Sequence, residues 1–175
     1  MKHSLISAGI VLASCLGAAS ASAQTVARPE ATVGYQLLHI PDETFPAGFN
    51  VDVAGTMNNG WALVGEFGFS KDDQNEPGVT GKLKFLHYGV GPRWQFAGTR
   101  ARPFAQVLAG GVHTDADTNL TDDSDNAFML QPGAGVVWQI GPGWGAVGQL
   151  DYRRVFFKEE GENEWRMVLG LRFGL

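Results

Sequence analysis

The sequence predicts an all-β protein in which eight antiparallel strands close into an up-and-down barrel. Three observations support this prediction: runs that alternate between apolar and polar residues, tight turns that alternate with longer connections, and a strongly amphipathic final strand, Trp165–Leu175. No helical periodicity competes with the alternation. We therefore expect each strand to pair with the next, and the last strand to close the barrel against the first.

The strand and turn positions follow from this alternation. Three connections are short and rich in turn-forming residues, namely 58–60, 97–100 and 140–143. They fall at one end of the barrel with both termini, which we name the turn end; the opposite end is the loop end. The eight predicted strands are 31–39, 48–57, 61–70, 82–96, 101–113, 127–139, 144–157 and 165–175.

Two prolines fall inside predicted strands, Pro92 late in the fourth and Pro132 in the sixth. Proline has no backbone N–H to donate to the ladder, so we expect a β-bulge at each position.

Acidic residues concentrate in the longer connections, so we expect acidic loops. The formal net charge is −5. Such a surface disfavours nucleic acid as a partner. The acidic clusters are Asp42 and Glu43; Asp72, Asp73 and Glu76; Asp115, Asp117, Asp122, Asp123 and Asp125; and Glu159, Glu160, Glu162 and Glu164.

The N-terminus has the pattern of a secretory signal peptide. A basic start precedes the apolar stretch Leu5–Leu12, and Ala21-Ser22-Ala23 forms a cleavage site. We predict a signal peptide over 1–23 and a barrel domain over 24–175. An alternative remains open, because Leu12-Ala13-Ser14-Cys15 is similar to a lipobox whose cysteine becomes lipidated.

The two faces of the strands predict which side meets lipid. No charge interrupts the apolar face over about ten residues, the length that crosses a bilayer when a strand is tilted. The other face carries glycines and polar residues, which cannot form the core of a soluble calyx but can fill a narrow barrel. Four tryptophans lie on the apolar face near the turn end and predict an interfacial aromatic girdle: Trp61, Trp94, Trp138 and Trp144.

Taken together, the eight strands, the alternation of turns and loops, the tryptophan rim and the final strand Trp165–Leu175 make a recognisable pattern. The chain resembles the small eight-stranded outer-membrane barrels of the OmpA-transmembrane-domain and OmpX type. The resemblance implies a monomer in a Gram-negative outer membrane, in contact with lipid and lipopolysaccharide. It also implies insertion by the barrel-assembly machinery through the C-terminal strand, and no peptidoglycan-binding domain is expected after the barrel.

Charged residues on the interior face predict a network across the lumen. We place Arg166 on this face as well, towards the loop end with Arg153. Buried charges must be paired, so we expect the network to plug the barrel. The alternative is a switchable gate in a narrow pore. The predicted network comprises Asp52, Glu66, Arg93, Arg102, Asp151, Arg153 and Arg172.

One acidic stretch has the spacing of Ca²⁺-binding loops. The stretch lacks the required glycine, where Leu120 stands, and the final glutamate, where Asn126 stands. A weak divalent-cation site or a merely solvated loop is therefore expected, with no dedicated metal centre. The residues concerned are Asp115, Asp117, Asn119 and Asp123.

Catalysis is not expected. After residue 24 the serines are Ser70 and Ser124, and neither has a histidine beside it in sequence. We place His39, His87 and His113 at the loop-end rim, without a role. The predicted function is a structural scaffold without a cofactor that displays acidic loops for adhesion or envelope stability. The alternatives are the narrow gated pore and a soluble or lipid-anchored ligand-binding barrel.

Overall fold

The fold is a closed antiparallel barrel, seen in a computed structural model that describes residues 28–40, 43–45, 47–57, 59–76, 79–118, 122–156 and 161–174. Within these ranges no helix is long and apolar enough to span a membrane. The strands are β1 (Arg28–Ile40), β2 (Glu43–Phe45), β3 (Ala47–Thr56), β4 (Trp61–Glu76), β5 (Val79–Gln95), β6 (Ala101–Thr118), β7 (Asp122–Gly141), β8 (Trp144–Phe156) and β9 (Gly161–Gly174).

Strand pairing follows chain order and closes on itself. The closing contact runs between β1 and β9, from Glu30 opposite Gly174 to His39 opposite Trp165. Both β2 and β3 pair with the same edge of β1, with registers that differ by one residue. They therefore share one position in the ring, and the predicted eight-stranded up-and-down barrel is confirmed.

The strands at the loop end are longer than predicted. β4, β5, β6 and β7 contain 16, 17, 18 and 20 residues. The acidic clusters within 72–76 and 115–125 were predicted to lie in loops. Their residues lie in these strands, so that part of the prediction is wrong. The reason lies in the hairpin ladders, which continue to pair from Glu76 opposite Val79 and from Asp117 opposite Asp122. The β5–β6 ladder also continues here, with Lys84 and Asp115 as Cα partners.

These long hairpins project beyond their neighbours. β3 pairs with β4 only as far as Lys71, and β8 pairs with β7 only from Phe128. We name the projecting part, residues 72–76, 79–83, 112–118 and 122–127, the loop-end sheet.

The predicted inside and outside faces are confirmed. Outward side chains are large and apolar, and many keep about half of their surface exposed, as with Leu63 at 57% and Leu169 at 55%. In a membrane this exposed surface contacts lipid. The inward positions of the same strands are buried and mostly polar.

Tight turns close the turn end where they were predicted. Gly60 and Gly143 have φ values of 85° and 79°, a conformation that side-chain-bearing residues rarely adopt. In the first turn the Gly60 N–H donates to the Met57 carbonyl oxygen at 3.3 Å, and the Met57 N–H donates to the Trp61 carbonyl oxygen at 2.7 Å.

The prediction of bulges at the two prolines is wrong. The β5–β6 register is the same on both sides of Pro92, and the β7–β8 register is the same on both sides of Pro132. At each site the pairs of the proline and of the residue before it are missing. A strand residue directs its N–H to one neighbour, so a proline interrupts one ladder and leaves the other continuous. The observed register shift lies between Gln139 and Gly141.

Close approach of β5 and β6 requires glycine at position 110. A Cβ atom there would overlap the backbone carbonyl oxygen of Tyr88, whereas a Cβ at Gly65 would meet nothing within 4 Å. We expect Gly110→Ala to lower the free energy of unfolding by about 1–3 kcal/mol, because backbone atoms cannot move aside. Gly65→Ala is the matched control and should have no destabilising effect. Urea unfolding in lipid vesicles measures both, and equal losses would contradict this explanation.

Candidate functional site in the barrel interior

Arg166 lies at the centre of the barrel interior, with no exposed surface. Its Nη2 donates to Glu66 Oε2 at 2.7 Å and to Asp151 Oδ2 at 2.7 Å, and its Nε donates to Asp151 Oδ2 at 3.0 Å. Asp151 is its direct cross-strand partner in the β8–β9 pair, while Glu66 reaches it from β4 across the lumen. One guanidinium thus holds two carboxylates.

Polar side chains complete the shell around the second amino group of Arg166. Nη1 lies 3.0 Å from Asn50 Oδ1, 3.3 Å from Gln36 Oε1 and 2.9 Å from His87 Nε2. A guanidinium can only donate, so His87 Nε2 accepts in this contact. Gly68 leaves the space that the His87 ring occupies, because a Cβ there would overlap the ring.

A second ion pair lies on the loop-end side of this centre. Arg153 Nη1 donates to Glu164 Oε2 at 3.1 Å, and its Nε donates to Gln131 Oε1 at 2.8 Å. Gln131 Nε2 donates in turn to Glu66 Oε1 at 2.9 Å, which links the Arg153–Glu164 ion pair to the contacts around Arg166. A buried apolar cluster also lies on the inner face of the loop-end half, formed by Leu38, Phe85, Val112, Ala127, Met129 and Val155.

The turn-end half of the interior contains three further arginines. Arg93 Nη1 lies 3.3 Å from Asp52 Oδ1, and its Nε donates to Gln106 Oε1 at 2.8 Å. Nearer the turn end, Arg102 and Arg172 approach Glu30 at 3.9 Å and 3.8 Å.

The charges balance over the described interior as a whole. Five arginines, at positions 93, 102, 153, 166 and 172, face five carboxylates, at positions 30, 52, 66, 151 and 164. Burial of an unpaired charge costs several kcal/mol, so this balance is what allows a narrow polar interior to exist. The side chains of this network contact one another across the lumen, as Arg166 of β9 and Glu66 of β4 do.

The sequence-predicted interior residues meet one another, with two corrections. Asp52, Glu66, Arg93, Asp151, Arg153 and Arg172 are buried on the inward face, Arg102 is partly exposed at the turn end, and all seven make the contacts given above. Arg166, which we placed towards the loop end, lies level with Asp151. His87, which we placed at the rim, is 1% exposed and contacts the central arginine. The alternation along β5 already placed position 87 on the inward face, because Arg93, six residues later, was predicted to lie on that face.

Sequence reasoning placed Gln36, Asn50 and Gln131 on the interior face, but it did not place Glu30 and Glu164 there. All five lie on the inward face of their strands and are buried. Glu164 belonged to an acidic cluster read as loop, although it is two residues from Arg166 and therefore shares its face. The rule that every second residue of a strand lies on the same face could have placed Glu164 in the interior.

The tryptophans of the predicted girdle lie near the turn end on the outer face. Trp61 lies opposite Trp94, and their rings contact edge to face with centroids 4.8 Å apart. Trp144 lies opposite Phe173, and Trp138 is 59% exposed.

Several other predicted features fall outside the described residues. Asp115, Asp117 and Asp123 have backbones in β6 and β7, but Asn119 and the side chains of all four lie outside the description. The weak divalent site therefore stays a prediction, as do the signal peptide and the Cys15 alternative within residues 1–27. The side chains that the structure describes contain no group of three or more potential metal ligands.

Comparison with known proteins identifies the family. The sequence matches the outer membrane protein beta-barrel domain over residues 8–174. The chain belongs to this family. It is an outer-membrane β-barrel protein, which removes the soluble ligand-binding alternative. No match among curated proteins reaches significance.

Solved structures of outer-membrane barrels share the fold. Neisserial surface protein A is 13% identical with a TM-score of 0.63, over 85% of this chain and 96% of that one. The N-terminal β-barrel domain of Pseudomonas aeruginosa OprF is 17% identical with a TM-score of 0.60, over 87% and 100%. Ail, the attachment invasion locus protein of Yersinia pestis, is 17% identical with a TM-score of 0.54, over 86% and 100%. At these identities the likeness is one of fold.

Proposed function

We propose that this outer-membrane barrel is a non-enzymatic envelope scaffold that holds the loop-end sheet outside the membrane for adhesion or envelope stabilisation. The observation that carries the proposal is the interior network centred on Arg166, which contacts side chains from β1, β3, β4, β5 and β8. Such a cross-linked interior favours a rigid plugged support over a conduit.

The proposed partners follow from charge and from the family. Ail has been solved with the heparin analogue sucrose octasulfate, a polyanion. The loop-end sheet of this chain contains eight acidic residues and one lysine, so a sulfated polysaccharide is not its expected ligand. We propose contact with outer-membrane lipid, with lipopolysaccharide through bridging divalent cations, and with basic surfaces. A monomer inserted by the barrel-assembly machinery through β9 completes the proposal.

The scaffold proposal predicts that the loop-end sheet can be shortened without loss of the barrel. Residues 72–83 and 116–123 would each be replaced by an Asn-Gly turn, which joins the Cα partners Lys71 and Lys84 and the Cα partners Asp115 and Ser124. The shortened and the full-length forms would both be produced in a Gram-negative host. We expect equal amounts of heat-modifiable barrel in the outer membrane. Attachment to surfaces coated with basic protein, or resistance to detergent, should fall several-fold with the shortened form.

Conductance distinguishes the pore alternative. In planar bilayers the scaffold should give no discrete current steps, with an established porin as positive control. Steps from the wild-type protein that change size in Glu66→Gln or Arg93→Gln would overturn the plugged interior and favour the narrow gated pore.

For the form with the shortened loop-end sheet, unchanged attachment and unchanged detergent resistance would overturn the display role.

A further inference from the structure

A cavity opens into the barrel at the turn end. It encloses about 290 Å³ and is lined by Arg28, Glu30, Arg102, Gln139, Trp144 and Arg172, among others. We name it the turn-end cavity. Three of these six residues are arginines and only one is acidic, so the lining is strongly cationic.

Arg172 is the most deeply buried of the three arginines, at 3% exposed. Its Nε donates to Thr32 Oγ1 at 3.0 Å, while its Nη1 is 3.8 Å from Glu30 Oε2. Its Nη2 is buried without a hydrogen-bond partner in the protein. A buried guanidinium N–H without an acceptor is costly, so this group is suited to an acceptor from outside the chain.

Arg102 is similarly incomplete. Its Nη2 donates to Gln139 Oε1 at 3.3 Å, its Nη1 lies 3.9 Å from Glu30 Oε1, and its Nε is buried without a partner. Glu30 Oε2 already accepts from Gln95 Nε2 at 3.0 Å. The Glu30 carboxylate therefore supplies charge to both arginines at a distance too long for a hydrogen bond.

The interior charge is balanced as a whole, but it is not balanced at each height along the barrel axis. Arg93 pairs with Asp52 and Arg153 pairs with Glu164, while the central Arg166 holds two carboxylates. At the turn end two arginines share Glu30, which leaves an excess positive charge among the described side chains, and Arg28 at the mouth adds another. An excess cation in a low-dielectric site attracts an anion.

An aromatic ring packs against these arginines. The centroid of the Phe104 ring lies 4.7 Å from Arg93 Cζ and 4.8 Å from Arg172 Cζ, and Phe104 packs in one cluster with Val137 and Val147. Two cations stacked on one ring hold the arginines in place. A molecule that enters from the turn end meets this cluster, so the geometry suits binding rather than passage.

We propose that the turn-end cavity binds a phosphate group through Arg102 and Arg172, with Arg28 at its mouth. Guanidinium groups match phosphate oxygens in geometry and charge, and the free Nη2 and Nε atoms supply the donors. The phosphate has two possible sources, free inorganic phosphate or a phospholipid headgroup at the adjacent membrane surface.

The test is titration with inorganic phosphate of the barrel folded in micelles of an uncharged maltoside detergent. Amide resonances of Gly143, Gly145 and Gly174 report on the cavity. We expect saturable shifts confined to the turn end. Arg102→Gln should raise the half-saturating concentration about tenfold or more, the usual size of a lost charge-assisted contact. Arg102 keeps about a third of its side chain exposed, 35%, so the variant should fold, and gel mobility without boiling checks this.

The control is Arg154→Gln, an exposed arginine near the loop end that donates to Asn163 Oδ1 at 2.9 Å. It should leave the titration unchanged. Absence of saturable shifts in the wild-type protein, or equal affinity in Arg102→Gln, would overturn the site. Short-chain phosphatidylglycerol, added as competitor, separates the two sources. Displacement of phosphate at tenfold lower concentration identifies a headgroup site, and weaker competition identifies free phosphate.

Discussion

Replacement of Arg166 by methionine is expected to lower the free energy of unfolding by about 3–5 kcal/mol, the cost of removing one partner from a buried ion pair. The variant keeps an unbranched side chain but leaves Glu66 and Asp151 without the guanidinium that both contact, and both carboxylates are buried. The acceptors on Asn50, Gln36 and His87 also lose their shared donor. Urea unfolding in lipid vesicles, followed by tryptophan fluorescence, measures the loss.

Two further variants test the cause. Arg154→Met removes an exposed arginine near the loop end, and we expect a change below about 1 kcal/mol. Adding Glu66→Gln and Asp151→Asn to Arg166→Met removes the unpaired charges and should recover at least half of the loss. If Arg166→Met were no worse than Arg154→Met, the network would not be what stabilises the interior.

Replacement of Leu169 by arginine tests which face of the barrel meets lipid. Leu169 lies on the outer face of β9, midway between Trp165 and Phe173, and is 55% exposed. A charge on the lipid face near the bilayer midplane costs about 2–4 kcal/mol, so we expect that loss in vesicles. In a water-soluble barrel the same exposed position would tolerate arginine with almost no change.

The control for membrane depth is the same substitution at Met57. This residue lies beside the first tight turn and is 45% exposed. Near the membrane surface arginine costs about 0–1 kcal/mol, so Met57→Arg should be nearly neutral. Equal losses at Leu169 and Met57 would contradict the membrane depth assigned to β9.

Strand number, closure and face assignment could all be predicted from the sequence. The reason is that the alternation of side chains between the two faces depends only on position along one strand. An inward Arg172 therefore makes Arg166 inward as well. Turn positions were equally local, because Gly60 and Gly143 mark the conformations that glycine adopts readily. The same alternation also implied the inward direction of His87 and Glu164, although their neighbours in sequence suggested a rim and a loop.

Contacts across the lumen were decided by the closed barrel. Arg166 and Glu66 are 100 residues apart, and their pairing depends on strand stagger and barrel width, which no local pattern specifies. The same holds for the two prolines, since the orientation of each missing N–H decides which ladder is interrupted. It holds too for the uneven charge of the turn-end cavity, because Glu30, Arg102 and Arg172 come from β1, β6 and β9 and meet only when the ring closes.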